Sequence, residues 1–299
     1  MRCPACGSES RADCPVVTQE ADRRQNRSYT AFRCGRCNLL FLEDYREDRS
    51  HLYDDDYGTW GRSAGDREGL VATVKRATFR RQLQRLMEVA ALPSADGRRL
   101  LDVGTGPGYL LEAASGLGFD VYGVEPSGYA ADRAAERFPG RVHRGRLSEA
   151  GFGDDVFDVV SLTDVLEHVS EPVTLAAEVS RVLKPGGVAL IITPNAASWT
   201  RRLMGRYWFQ YKYEHVMYWD AASLRHLLDR TGLRLLSVEN NRKWFSPAYY
   251  RHYLGKYSVF GPCGRIISGL CGVLPRSWQE RHLANPFLGE LLAVAVKRK

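Results

Sequence analysis

The chain lacks any long apolar run. Its longest uncharged stretch towards the C-terminus, Ile266 to Leu274, falls far short of the roughly 20 residues a membrane span needs. No apolar segment follows the first Met either. Cys3 and Cys6 sit there in a polar run, so no secretory signal is expected. Internal repeats and low-complexity tracts are missing, which sets repeat architectures aside. Cysteine is sparse, with 7 in 299 residues. Without a signal, that number argues against a disulfide framework and for a reducing, cytoplasmic compartment. Residues 7–33 hold no Arg/Lys-rich stripe. Arg11, Arg23, Arg24 and Arg27 remain there as scattered phosphate contacts.

What is present reads as a soluble globular protein, 44% hydrophobic and 26% charged. The length allows one large α/β domain with a small satellite, or two ordinary domains. The formal charge of +7 is compatible with nucleic acid, anionic headgroups or phosphorylated small molecules, and equally with a merely basic surface.

Residues 1–45 are Cys- and Arg-rich and lack a helical period, with a short strand expected at 27–33. Residues 46–97 read as a linker, including Tyr53-Asp54-Asp55-Asp56-Tyr57, and a helical cap over 69–91. From residue 98 strands alternate with helices. Strands are expected at 99–103, 120–125, 141–144, 157–163, 188–193, 233–239 and 290–296. Helices are expected at 109–117, 128–137, from Pro172 to the Lys184-Pro185-Gly186-Gly187 turn, and at 224–230. This alternation predicts an α/β domain over 98–299, a mostly parallel sheet covered on both faces. Residues 241–287, aromatic and basic, interrupt it as a lid, an interface or a membrane-surface element.

Leu101-Asp102-Val103-Gly104-Thr105-Gly106-Pro107-Gly108 is a strand entering a Gly-rich turn. Such a turn lets backbone approach a ligand closely. Alone it says only that a nucleotide-like ligand binds. Glu125 closes the second strand, where a carboxylate accepts ribose hydroxyls. The fourth strand runs into Thr163-Asp164-Val165-Leu166-Glu167-His168-Val169, and the next helix ends at Leu183-Lys184-Pro185-Gly186-Gly187. Together these motifs resemble the class I, Rossmann-like S-adenosylmethionine-dependent methyltransferases, over roughly 98–240 and 288–299. The resemblance implies a seven-stranded sheet with a reversed last strand. It places the cofactor on Asp102, Gly104, Thr105, Gly106 and Gly108, with Glu125 and Pro126 at the ribose. It puts Leu147 near the adenine, although Gly145-Arg146-Leu147 lacks the Asp often found there, and Thr163 and Asp164 beside the cofactor.

Cys3-Pro-Ala-Cys6 and Cys34-Gly-Arg-Cys37 supply four thiolates, the number a closed structural Zn²⁺ site takes. Cys14 is a bystander or a substitute ligand, and Cys263 and Cys271 are expected to pack. For the chemistry, His168 lies at the ligand-binding edge of the sheet as a base or a packing residue. Glu214-His215 sits among aromatics in Tyr211 to Trp219, either as a base in a substrate wall or as a loop pair fixing the aromatic hairpin. The Tyr213-Glu214-His215 stretch, the ribbon and the Tyr-rich linker resemble zinc-ribbon sugar C-methyltransferases, in which that Glu-His pair lies at the active site. The chain departs from them after residue 240, where their His-Gly-Gly segment is missing. The implied partner is a small-molecule acceptor (a sugar, a lipid-linked compound or a secondary metabolite) methylated at oxygen or carbon. The alternatives are a ribosomal RNA methyltransferase with a zinc module and a non-catalytic zinc-binding interaction protein. None of these features fixes the oligomeric state.

Overall fold

The computed structural model describes residues 1–18, 27–46, 67–212, 214–245 and 289–299, with 247, 269, 275, 278 and 283–285 besides. The linker 53–57, Tyr213 and the 241–287 element beyond residue 245, apart from those few positions, lie outside the described residues. So do Cys263 and Cys271.

Three antiparallel strands open the chain: β1 (Ser10–Thr18), β2 (Arg27–Cys34) and β3 (Leu40–Leu42). Only β2 is legible from alternation. β3 is Leu-Phe-Leu with all three residues buried, too short to show a period. Helix α1 (Arg67–Val89) follows. The alternating domain then runs β4 (Arg99–Val103), α2 (Tyr109–Ser115), β5 (Asp120–Glu125), α3 (Gly128–Arg137), β6 (Val142–Arg144), β7 (Phe157–Thr163), α4 (Pro172–Val182) and β8 (Leu183–Pro194). It continues with α5 (Trp199–Met204), β9 (Met217–Tyr218), α6 (Ala221–Arg230), β10 (Leu233–Asn240), β11 (Lys243–Phe245), β12 (Leu283–Asn285) and β13 (Glu290–Lys297).

Seven strands make one sheet in the order β10-β13-β8-β7-β4-β5-β6. The five from β8 to β6 are mutually parallel, whereas β13 runs antiparallel to both β8 and β10. This is the expected Rossmann-like sheet. Its reversed last strand is inserted between the fifth and sixth. The Lys184-Pro185-Gly186-Gly187 turn differs from expectation. It ends α4, yet it belongs to the twelve-residue β8, because Leu183 already pairs with Phe157 before the register shifts. Helix α6 starts earlier than expected because Asp220 caps it, accepting from Ser223 N–H at 2.8 Å.

Successive strand residues feed opposite faces, and both faces are apolar, as in a sheet covered on two sides. Leu100, Val159 and Leu190 pack with Leu83 and Leu86 of α1 and Leu110 and Leu111 of α2. Leu101, Val160 and Ile191 pack with Val179 of α4 and with Leu224 and Leu228 of α6. That second core continues into Cys3, Leu39 and Phe41. The ribbon therefore shares a core with the large domain. Its sheet is completed by β9, with Leu40 opposite Tyr218 and Phe41 opposite Met217. Asn38 donates to Asp220, and Arg230 donates to the Ala5 carbonyl. Among the described residues, no helix is long and apolar enough to cross a membrane.

Candidate active site and thiolate cluster

The Gly-rich turn leaves β4 with Gly104, Gly106 and Gly108 all at positive φ. Gly104 is the tightest case. A Cβ there would lie 2.6 Å from Val165 Cγ2, so backbone alone fits between the turn and the loop after β7. The N–H groups of Gly104 and Thr105 donate to the Val124 carbonyl at 2.9 and 3.1 Å, tying the turn to β5. Glu125 ends β5 and is buried. Its carboxylate accepts from Gly106 N–H at 2.7 Å and from Ser127 N–H at 2.9 Å. Turn and acid thus form one hydrogen-bonded unit. Ser127 in turn caps α3, and Pro126 between them is exposed.

Asp102 is buried beneath the turn. Burial raises its pKa to about 7, although Ser161 Oγ–H donates to it at 2.6 Å. Gly145 N–H donates to the Glu125 carbonyl at 3.0 Å, which brings the stretch after β6 against the end of β5. Leu147 begins a single 3-10 turn there and is buried in the core. At the end of β7, Thr163 Oγ1 is buried with no hydrogen-bond partner among the described residues. Asp164 adopts φ 55°. A backbone cradle, a strand-end carboxylate and an orphaned hydroxyl at one sheet edge fit the polar parts of S-adenosylmethionine.

His168 and His215 meet beyond this turn. Their rings lie 4.7 Å apart and nearly perpendicular. His168 Nδ1–H donates to the Glu214 carbonyl at 2.9 Å, and His215 Nδ1–H donates to the Gln210 carbonyl at 2.9 Å. A carbonyl only accepts, so both rings carry the proton on Nδ1 and the lone pair on Nε2. Burial lowers both pKa values. His215 falls furthest because His168 and Lys212 add unfavourable charge. Glu214 contributes its backbone carbonyl to this arrangement. Glu167, quoted in the motif but given no role there, lies fully inside. Thr193 Oγ1–H donates to its carboxylate at 2.9 Å, and burial followed by the nearby Asp164 charge raises its pKa to about 8.

The described aromatics around His215 do not line an open wall. Tyr211, Tyr218 and Trp219 are 1%, 0% and 0% exposed. They pack with Trp208 and with Ala31, Leu40 and Leu42 of the ribbon, apart from Trp219, which joins the main core. Tyr218 O–H donates to the His215 carbonyl at 3.0 Å, so the hairpin fixes the histidine. The sequence held no signal for Lys243 of β11. It bridges Asp164 at 3.3 Å and Glu290 at 2.8 Å. Burial opposes its charge, but the two carboxylates outweigh that and hold its pKa above the usual lysine range.

In the ribbon, the Sγ atoms of Cys3, Cys6, Cys34 and Cys37 all lie within 4.8 Å of one another. The Cys3–Cys37 pair is at 3.5 Å and Cys6–Cys34 at 3.3 Å, far beyond a disulfide bond. The hydrogen bond with Cys37 holds the Cys3 pKa below the usual thiol range. Four sulfurs around one Zn²⁺ at about 2.3 Å stand roughly 3.8 Å apart, and the donor set fits that ion. Cys14 lies on β1, away from both knuckles in sequence.

Among solved structures, the fold is similar to a SAM-dependent methyltransferase from Thermotoga maritima, with TM-score 0.52 and 18% identity, covering 83% of this chain and 99% of that one. It is also similar to a Bacillus halodurans methyltransferase, with TM-score 0.50 and 22% identity, covering 73% of this chain and 99% of that one. Uncharacterized methyltransferases of Mycobacterium marinum and Mycobacterium tuberculosis are each 42% identical, over 101 and 98 residues. Those stretches cover 33% and 32% of this chain, and 40% and 39% of the relatives, so the match spans well under half of their length. Residues 74–238, from α1 to β10, match the family described as methyltransferase domain, and with its Rossmann-like sheet and Gly-rich turn the chain belongs to the class I S-adenosylmethionine-dependent methyltransferase family.

Proposed function

We propose that this protein transfers a methyl group from S-adenosylmethionine to a small-molecule acceptor, at oxygen or carbon, of the sugar, lipid-linked or secondary-metabolite kind. The observation that carries this reading is the contact between half-buried His168 and buried His215, with the Asp164–His168 loop packing onto the Gly-rich turn through Val165. S-adenosylmethionine supplies a methyl group already activated on a sulfonium centre. The chain's task is therefore mainly to orient the acceptor and exclude water. Glu125 and the Gly104–Gly108 backbone would hold the cofactor. Two imidazoles kept neutral by burial, with lone pairs on Nε2, suit removal of a proton from an acceptor group.

The four ribbon cysteines are read as a structural Zn²⁺ site. With all four positions filled by thiolate, no coordination position is open for substrate. Its effect on the site runs through β3, where Leu42 N–H donates to the Val216 carbonyl at 3.0 Å, next to His215.

Calorimetry with S-adenosylhomocysteine is expected to show micromolar binding. Absence of binding at millimolar ligand would sink the reading. Methyl transfer to a panel of hydroxylated small molecules then identifies the acceptor. If RNA binds instead, with affinity falling steeply as salt rises, the substrate class passes to nucleic acid.

A further inference from the structure

We infer that Glu167, His168 and His215 form a second metal site, taking one divalent transition-metal ion through a carboxylate oxygen and two imidazole nitrogens. One ligand atom from each lies within 4.8 Å of the others. Three ligands about 2.1 Å from a tetrahedral ion stand roughly 3.4 Å apart, so closure needs each ligand atom to move by less than about an ångström. The surrounding hydrogen bonds hold the ligand side chains in place. Thr193 donates to Glu167 Oε2 at 2.9 Å. The Gln210 and Glu214 carbonyls hold the Nδ1–H groups at 2.9 Å each. A second hydrogen bond of this kind, setting the tautomer and aiming the other nitrogen, is the usual support of a metal-bound histidine.

Burial makes the case stronger. Glu167 is 1% exposed and His215 is 3% exposed. Asp164 and Glu290 crowd the same edge with further negative charge, and Lys243 answers those two directly. A buried carboxylate without a cation of its own is costly, and a divalent ion removes that cost. Two histidines and a glutamate are a borderline N/O set, suited to Zn²⁺, Co²⁺ or Fe²⁺ and unlike the thiolates of the ribbon. Three protein ligands leave at least one position open.

With the ion bound, the Nε2 lone pairs are held by the metal in place of acting as bases; the open position then takes the acceptor oxygen, and this part of the inference rests on the proposed methyl transfer. Coordination acidifies the hydroxyl, and its proton passes to solvent. The oxygen's electron pair forms the new bond to the methyl carbon. The electron pair of the breaking carbon–sulfur bond stays on sulfur and neutralises the sulfonium.

The test uses the full chain with Zn²⁺ in the ribbon, titrated with cobalt(II) chloride. One further equivalent is expected to bind, with weak visible bands and no thiolate-to-cobalt charge transfer. Glu167→Gln and His215→Gln should each weaken it at least ~10-fold, and Thr193→Val by about 10-fold or more. S-adenosylhomocysteine affinity, expected to be unchanged, shows that each variant is folded. It also reports on the cofactor reading independently of the metal. A cobalt spectrum carrying only thiolate features, or a second equivalent bound equally well by all three variants, overturns the site. Methyl transfer surviving removal of the second ion overturns its catalytic role and returns the proton to a histidine base.

Discussion

The Gly-rich turn and the histidine edge proposed to take the acceptor meet at Val165, yet they are built in opposite ways. Asp102, Gly104, Gly106, Gly108 and Glu125 come from one strand–turn–helix–strand unit, and their hydrogen bonds are nearly all local. Glu167, His168 and His215 come from two segments 47 residues apart. They are held by contacts to β8, to the aromatic hairpin and, through β9, to the ribbon. The first half is set by backbone geometry that any copy of the motif reproduces. The second depends on an N-terminal module being in place. Substrate specificity would then vary with the ribbon and hairpin while cofactor binding stays fixed.

That contrast breaks most sharply at the ribbon. Cys34→Ser should abolish ribbon metal binding and with it methyl transfer, since structural zinc contributes on the order of 10 kcal/mol to such modules. S-adenosylhomocysteine affinity should fall no more than about 3-fold, roughly 0.6 kcal/mol. A parallel collapse of cofactor affinity in calorimetry would show that the halves are one cooperative unit. His215→Ala should lower turnover by roughly 10²–10⁴-fold, again with cofactor affinity kept. Full activity in that variant removes His215 from the chemistry.

On the other side, Glu125→Ala should weaken S-adenosylhomocysteine binding by about 1.5–3 kcal/mol, the range for hydrogen bonds to a charged group. It also leaves the Gly106 and Ser127 N–H groups without their acceptor. Unchanged affinity would remove Glu125 from the ribose. The smallest effect is on stability. The pKa of Asp102 in the folded chain, about 7, lies above its ordinary 3.8. Its contribution is therefore fully present below about 4 and is lost as pH rises through about 7. Asp102→Asn should flatten that part of the melting-temperature profile of the cofactor-free protein. A profile unchanged between pH 4 and 8 would mean that the carboxylate is not desolvated.

Much of the site was legible in the residues themselves. Strands β4, β5 and β7 begin and end where alternation and the Gly and Pro positions place them, because each is a short apolar run bounded by turn chemistry. His168 and His215 were both singled out, but nothing in their spacing says that their rings touch. Glu167 was hidden by its neighbours, since a Glu beside a His in a loop gives no sign of being buried. Strand β3 escaped for a related reason, because a three-residue strand such as Leu-Phe-Leu is recognised only by what it pairs with. Tyr211 and Tyr218 read as part of a substrate wall, yet they pack between ribbon and domain, and Trp219 packs in the main core.

By itself the sequence determined the parallel sheet, the Gly-rich turn with its strand-end acid and the four-thiolate set, because each is spelled out by short local motifs: apolar runs bounded by turns, closely spaced glycines, and two Cys-x-x-Cys pairs. Only the tertiary structure decided that β3 adds to β9, that Lys243 reaches Asp164 and Glu290, and that Glu167 joins the two histidines. Those meetings bring together residues far apart in the chain. They are fixed by which apolar surfaces the folded chain buries together, and short-range pattern does not carry that information.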